Sequence, residues 1–274
     1  GGEWAVIGLS RAGLLSDEAA QSYEQAAEDY VKQADSGRLD RAKSTENSRT
    51  ILGLTAAGYN AAAVAGVDLT SGLSDMNYLR IQGLNGPIWA LIALDCHGYD
   101  IPQCAEGGEQ TTRAGLVAEI LTSQCSDGGW TLAGDTADVD MTAMALTALA
   151  AYKDDAEVKA AVDAALAYLS DAQQEDGGFM SWGTANSESC AQVIVALTAL
   201  GIDSAADARF TKAGGTAIDA LCAFACEGGG FRHSDEQTEP DGMATEQGFY
   251  ALAACDRFRQ GQTRLFDMTD IEVK

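Results

Sequence analysis

Proline is nearly missing from this chain, with 3 in 274 residues. Proline breaks helical hydrogen bonding, so its scarcity removes the main obstacle to a helical protein. Basic residues are also scarce: 17 Lys and Arg face 41 Asp and Glu, a net charge of −24. A surface that acidic repels nucleic acid and anionic lipid, and neither is an expected partner. No apolar run approaches the roughly 20 residues of a membrane span, so membrane insertion is not expected. Histidine occurs only at His97 and His233, and the seven cysteines contain no CxxC pair, which removes the usual zinc sites. An odd cysteine count argues against a complete disulfide framework; Cys96 and Cys104 flank a loop and would be able to pair in an oxidising compartment. The others read as small buried thiols. Aromatic residues are few as well, with only 4 Trp and 7 Phe.

What is present is repetition. Asp127-Gly128-Gly129-Trp130 recurs as Asp176-Gly177-Gly178-Phe179 and again as Gly228-Gly229-Gly230-Phe231. A polar loop follows each copy, then an Ala/Leu-rich helix: 141–152, 190–201 and 244–255. An amphipathic helix precedes each turn, over 111–124, 155–173 and 207–224. Fainter copies lead helices after Gly2-Glu3-Trp4, Ser44-Thr45-Glu46 and Gln82-Gly83-Leu84-Asn85. A helix apolar nearly all round must be buried on most sides. Its partner, charged along one face as in 155–173, must lie outside. The expectation is an all-α fold, an α/α toroid close to an α6/α6 barrel, filling 1–274 as a single domain. A TPR- or HEAT-like solenoid has shorter repeats and lacks the Gly-Gly-aromatic turn.

These motifs carry a resemblance. Tyr168-Leu169…Gln173…Asp176-Gly177-Gly178-Phe179 resembles the glutamine–tryptophan repeat of terpene cyclases, and Gln124 to Trp130 is a second copy; the third, near Cys226 to Phe231, lacks the Gln. Together with Cys190-Ala191-Gln192 and Thr245-Glu246-Gln247, they resemble the prenyltransferase/squalene-cyclase α/α toroid superfamily. Gln82-Gly83-Leu84-Asn85-Gly86-Pro87 and Asp138-Val139-Asp140-Met141-Thr142-Ala143 are similar to secreted bacterial toroid domains akin to the α-domain of transcobalamin and intrinsic factor. That resemblance implies a secreted or cell-surface binding domain, a corrinoid-like ligand at the barrel mouth and a small C-terminal β-domain of the same protein. No other cofactor is implied. The chain opens at Gly1-Gly2-Glu3-Trp4, already inside the helical pattern. It therefore reads as a piece of a longer protein, with Gly1 a remnant of cloning.

Two aspartates divide the functional readings. Class II terpene cyclases protonate an alkene with an Asp-x-Asp-Asp-Thr-Ala motif, and Asp140 would occupy the acid's position. Met141 stands where the last aspartate belongs, so the carboxyl network that keeps such an acid protonated loses a member. Alternatively Asp138 and Asp140 start a helix, as caps and as negative charge at its positive end. Ser44, Ser187 and Asp241 would cap other inner helices in the same way. A thioester domain would need Gly-Cys-Gly-Glu-Gln, which Cys226-Glu227-Gly228 only echoes. A glycosidase would need an opposed carboxylate pair, which so many acids make impossible to locate. Inner-helix N-termini point the same way in a toroid, so their opening residues meet at one mouth. The candidate ligand contacts there are Asp138, Asp140, Glu188, Gln192, Glu246, Gln247, Gln82, Asn85, Trp89 and Trp182. The leading expectation is a non-catalytic binding toroid; a terpene-cyclase-like enzyme and a structural surface module are the alternatives.

Overall fold

The computed structural model describes residues 2–34 and 37–274; Gly1 lies outside the described residues. The fold is all-α, an α/α toroid in its order of elements, with eleven α-helices among the described residues. The chain forms two compact units. Unit 1 runs through Ser123 and takes back Phe266–Lys274; unit 2 is Gln124–Leu265.

Unit 1 contains α1 (Glu3–Arg11), α2 (Asp17–Val31), α3 (Thr45–Ala56), α4 (Met76–Leu79), α5 (Asn85–Asp95) and α6 (Arg113–Thr122). α3 packs between α1 and α5. In α5 every residue from Gly86 to Leu94 is buried, as a helix apolar on all sides requires. The three inner helices run parallel. Ser10 at the end of α1 donates to the carbonyl of Ala56 at the end of α3. Cys96, the residue after α5, meets Thr55 of α3. The returning C-terminal segment is held by Met268 N–H on the Cys96 carbonyl at 2.7 Å and by the Arg11–Asp270 ion pair at 2.8 Å.

Unit 2 contains α7 (Val139–Leu149), α8 (Ala156–Ala172), α9 (Ser187–Leu200), α10 (Ala217–Ala223) and α11 (Gly242–Arg259). α9 packs between α7 and α11, and every residue of α9 except Glu188 is buried. α8 buries Val158, Ala161, Val162, Ala165, Leu166 and Leu169, the spacing of a single helical face. That contrast is the inner–outer division.

Two antiparallel hairpins interrupt the helices. β1 (Met180–Ser181) pairs with β2 (Thr184–Ala185), and β3 (Thr211–Lys212) with β4 (Gly215–Thr216). The second corrects the expected helix over 207–224. Gly214 lies in its turn and Gly215 begins its second strand, and α10 starts only at Ala217, after a Thr216/Asp219 capping box. All seven cysteines are free, so Cys96 and Cys104 are not paired. Burial pushes the thiols of Cys96 and Cys190 up to about 12, which leaves them as inert core groups. No described helix is long and apolar enough to cross a membrane.

Candidate functional site

The glycine turns set the geometry. Gln124 Nε2 donates to the Gly128 carbonyl of its own turn at 2.7 Å and to the Ala161 carbonyl in α8 at 2.9 Å. Gln173 repeats this, with Gly177 at 2.9 Å and Phe210 at 3.1 Å. Each glutamine thus ties its own turn to a backbone carbonyl of the next repeat. The aromatic residue that follows is clamped to its inner helix. Trp130 N–H donates to Thr142 Oγ1 at 2.9 Å, and Phe231 N–H to Thr245 Oγ1 at 3.0 Å. In the middle copy the Cys190 thiol meets the Phe179 backbone N–H.

Those three acceptors share one register. Asp138, Asn186 and Asp241 are the caps of α7, α9 and α11, accepting from Met141, Ser189 and Ala244 N–H. Thr142, Cys190 and Thr245 each sit four residues later. Two residues after each cap come Asp140, Glu188 and Met243; six after come Met144, Gln192 and Gln247. Positions four apart share a helix face, so these residues form one cluster at the N-terminal ends of the three helices. Gln192 Nε2 donates to Gln247 Oε1 at 3.1 Å and to the Tyr250 hydroxyl at 2.8 Å, which shows α9 and α11 parallel and in step. Glu188 accepts from Ser187 Oγ at 3.0 Å and pairs with His233 Nδ1 at 2.8 Å. The Tyr250 hydroxyl is fully buried, and burial raises its pKa, with the charges of Asp140, Glu188 and Glu246 adding to the rise. It therefore stays protonated.

The two aspartates differ. Asp138 is engaged: it accepts the Met141 N–H at 2.8 Å. Burial is the main force raising its pKa, and hydrogen bonds from Met141 N–H and Thr131 oppose it. Asp140 does not cap. Its Oδ1 is buried and has no hydrogen-bond partner. The side chain of Met141, where a third carboxylate would stand, is buried.

Asparagine caps a helix as well as aspartate does and has no proton to exchange. Asp138→Asn is therefore expected to fold as stably as the native chain near neutral pH, while Asp138→Ala loses about 1 kcal/mol. The native carboxyl holds its proton to higher pH when folded than when unfolded. Between its ordinary value of 3.8 and its raised one, its contribution to stability falls as pH rises. Urea unfolding across that window should show this slope in the native chain and its loss in Asp138→Asn.

Of the remaining expected residues, Gln82, Asn85 and Trp89 belong to unit 1. Gln82, in unit 1, accepts from Thr45 N–H at 2.9 Å and Ser44 Oγ at 3.2 Å. Its carboxamide serves the start of α3, where Ser44 makes no side-chain capping bond. Ser187 is not a cap either; Asn186 is, and Ser187 is buried as the first residue of α9. Asn85 opens α5 with its Oδ1 buried and unpartnered. Trp89 is a core residue, its ring tilted against Trp4 at 5.1 Å and edge-on to Phe266 at 5.8 Å. Trp182 stands in solvent at the tip of the β1–β2 hairpin, 89% exposed. Glu246 lies in the second turn of α11, and its charge reaches Tyr250. Tyr250 and His233 complete the cluster and were not among the expected contacts. Their signal was available for Tyr250 alone, nine residues past the Asp241 cap on the same face as Gln247.

The other ends of α7, α9 and α11 border a cavity of about 410 Å³. Ala150, Thr198, Ala199, Ala254 and Phe258 line it, with Lys153 and Arg264 alongside. None of the expected contacts reaches it. Among the described residues no group of three or more His, Cys, Asp or Glu is placed to hold a metal ion.

Fold and register together define an α/α toroid with a polar cluster at one end of its inner helices. The family model of the prenyltransferase alpha-alpha toroid domain matches residues 74–231, and the chain belongs to that family. Among solved structures, ent-copalyl diphosphate synthase from Streptomyces platensis is similar, with a TM-score of 0.50 and 19% identity over 93% of this chain and 50% of that one. The chain therefore spans about half the length of that protein, and at this identity the likeness is one of fold. No curated protein matches the chain.

Proposed function

We propose that this chain is a non-catalytic binding toroid of a bacterial secreted or cell-surface protein, taking a donor-rich small molecule at the N-terminal ends of α7, α9 and α11. The observation that supports the reading is Asp140. A buried acceptor without a donor costs about 1–3 kcal/mol, and a ligand N–H or O–H would remove that cost. Its neighbours Asp138 and Glu188 are already engaged, so the free oxygen is not a general property of the cluster. Gln192 and Gln247 add further carboxamide groups. Corrinoids, the class suggested by the resemblance to transcobalamin-like toroids, carry a fringe of side-chain amides that suits such a set. A β-domain of the same protein would cover the ligand from the far side.

The second reading is a terpene-cyclase-like enzyme with Asp140 as general acid. Its support is the fold likeness and the place of Asp140 in the motif. Against it, an acid of that kind needs hydrogen bonds that hold it in position, and Oδ1 has none. The third, a structural module, predicts that these residues affect stability alone.

Titration with cobinamide and cobalamin, followed by corrinoid absorbance, tests the proposal. Saturable binding is expected, weakened about tenfold or more by Asp140→Asn, as loss of a charged hydrogen bond implies. Absence of binding would remove the corrinoid. Turnover of a polyprenyl diphosphate, lost in Asp140→Asn, would replace the proposal with the enzyme.

A further inference from the structure

Unit 2 exposes four large apolar side chains among its described residues: Leu132 (52%), Met180 (42%), Trp182 (89%) and Met243 (58%). Their positions are not scattered. Leu132 lies in the loop before α7, Met180 and Trp182 in the hairpin before α9, and Met243 is the second residue of α11. β1 packs beside α7, and Ser187 N–H bonds the His233 carbonyl at 3.0 Å, so these loops adjoin one another. All the exposed large apolar groups of the unit thus gather at one end.

Trp182 is the unusual member. It and Gly183 form the two-residue turn between β1 and β2, with φ of +53° and +83°. Such a turn favours Asn or Gly at its first position, and a bulky side chain there is a backbone outlier. Trp182 therefore carries strain and full solvent exposure together, where a small polar residue would avoid both. Strain kept at an exposed site marks a function more often than a folding role. Tryptophan is also the residue most enriched among binding hot spots.

Charge names the partner. The same loops carry the exposed carboxylates Asp135, Asp235, Glu236 and Glu239. Arg232, the cation of the loop before α11, is engaged by Asp235 at 2.7 Å, which leaves Asp135, Glu236 and Glu239 in excess. An acidic rim about apolar anchors complements a basic segment with apolar side chains, whose Arg or Lys groups can also stack on an indole. We infer that this end of unit 2 docks a basic, amphipathic polypeptide segment of a partner protein, with Trp182 as its anchor. This goes beyond the small-molecule reading and does not depend on Asp140.

The test uses two labelled synthetic peptides of equal length and charge, one alternating Arg and Leu, the other Arg and Gly, followed by fluorescence anisotropy at physiological salt. The native chain is expected to bind the Arg/Leu peptide at least tenfold more tightly. Trp182→Asn should abolish that preference and keep or raise the melting temperature because Asn accepts the turn. Equal binding of both peptides would mean attraction to net charge alone and would overturn the inference. A preference that survives in Trp182→Asn would overturn it as well.

Discussion

Trp130→Ala is expected to destabilise unit 2 by roughly 3–5 kcal/mol, the usual cost of emptying a buried tryptophan site. Trp130 is completely buried and is among the largest fully buried side chains of the chain. Its backbone adds a second role. The Trp130 N–H donates to Thr142 Oγ1, and the Trp130 carbonyl accepts the N–H of Asp138 at 2.9 Å. The indole thus fills the space that lets the turn sit against α7, and the turn in turn places the Asp138 cap. Trp130→Phe should cost much less, since Phe179 and Phe231 fill the same position in the other copies. Thermal unfolding would read the alanine variant as a fall of roughly 6–20 °C. A fall of only a degree or two would mean that the glycine turns hold the repeats and the aromatic is incidental.

Most of this architecture was legible, and for a plain reason. A helix like α9, buried on every side, has to be apolar all round, and one like α8 has to show a single apolar face; both patterns are written locally. The Asp138 cap was legible too, because its partner is only three residues away. What escaped depends on distance or on rare local geometry. Gln82 supplies the start of α3 from 37 residues downstream, which no local window contains. The β1–β2 hairpin has Trp182 at a position that normally announces itself with Asn or Gly. The expected helix over 207–224 failed for the opposite cause: Gly214-Gly215 and the Thr216…Asp219 capping box were present but outweighed by the apolar spacing around them. Asp140 shows the limit most sharply. Its spacing from Asp138 is visible in sequence, but whether its oxygen finds a donor depends on what α7, α9 and α11 leave empty between them.

Alanine at the glycine two residues before the aromatic should grade the three copies: most damaging at Gly177, less at Gly128, least at Gly229. All three have similar left-handed backbone, with φ of +90°, +96° and +107°. Left-handed backbone costs an L-residue roughly 1–2 kcal/mol, and that part is common to all. Their surroundings differ. A Cβ at Gly229 meets nothing within 4 Å. At Gly128 it lies 2.9 Å from the Ala164 carbonyl oxygen of α8. At Gly177 it lies 2.5 Å from the Thr216 carbonyl oxygen and 2.7 Å from the Gly215 carbonyl carbon. Those last atoms belong to β4 and to the cap of α10, backbone that cannot rotate aside. Gly177→Ala is therefore expected to lose more than about 3 kcal/mol, strain plus displaced backbone. Gly229→Ala should lose only the strain. Urea unfolding of the three variants separates the contributions. Equal losses would mean that the glycine serves the turn alone. A graded series would show that it also sets how closely each turn approaches the next repeat, which is the contact that Gln124 and Gln173 reinforce and that the third copy, without its glutamine, has given up.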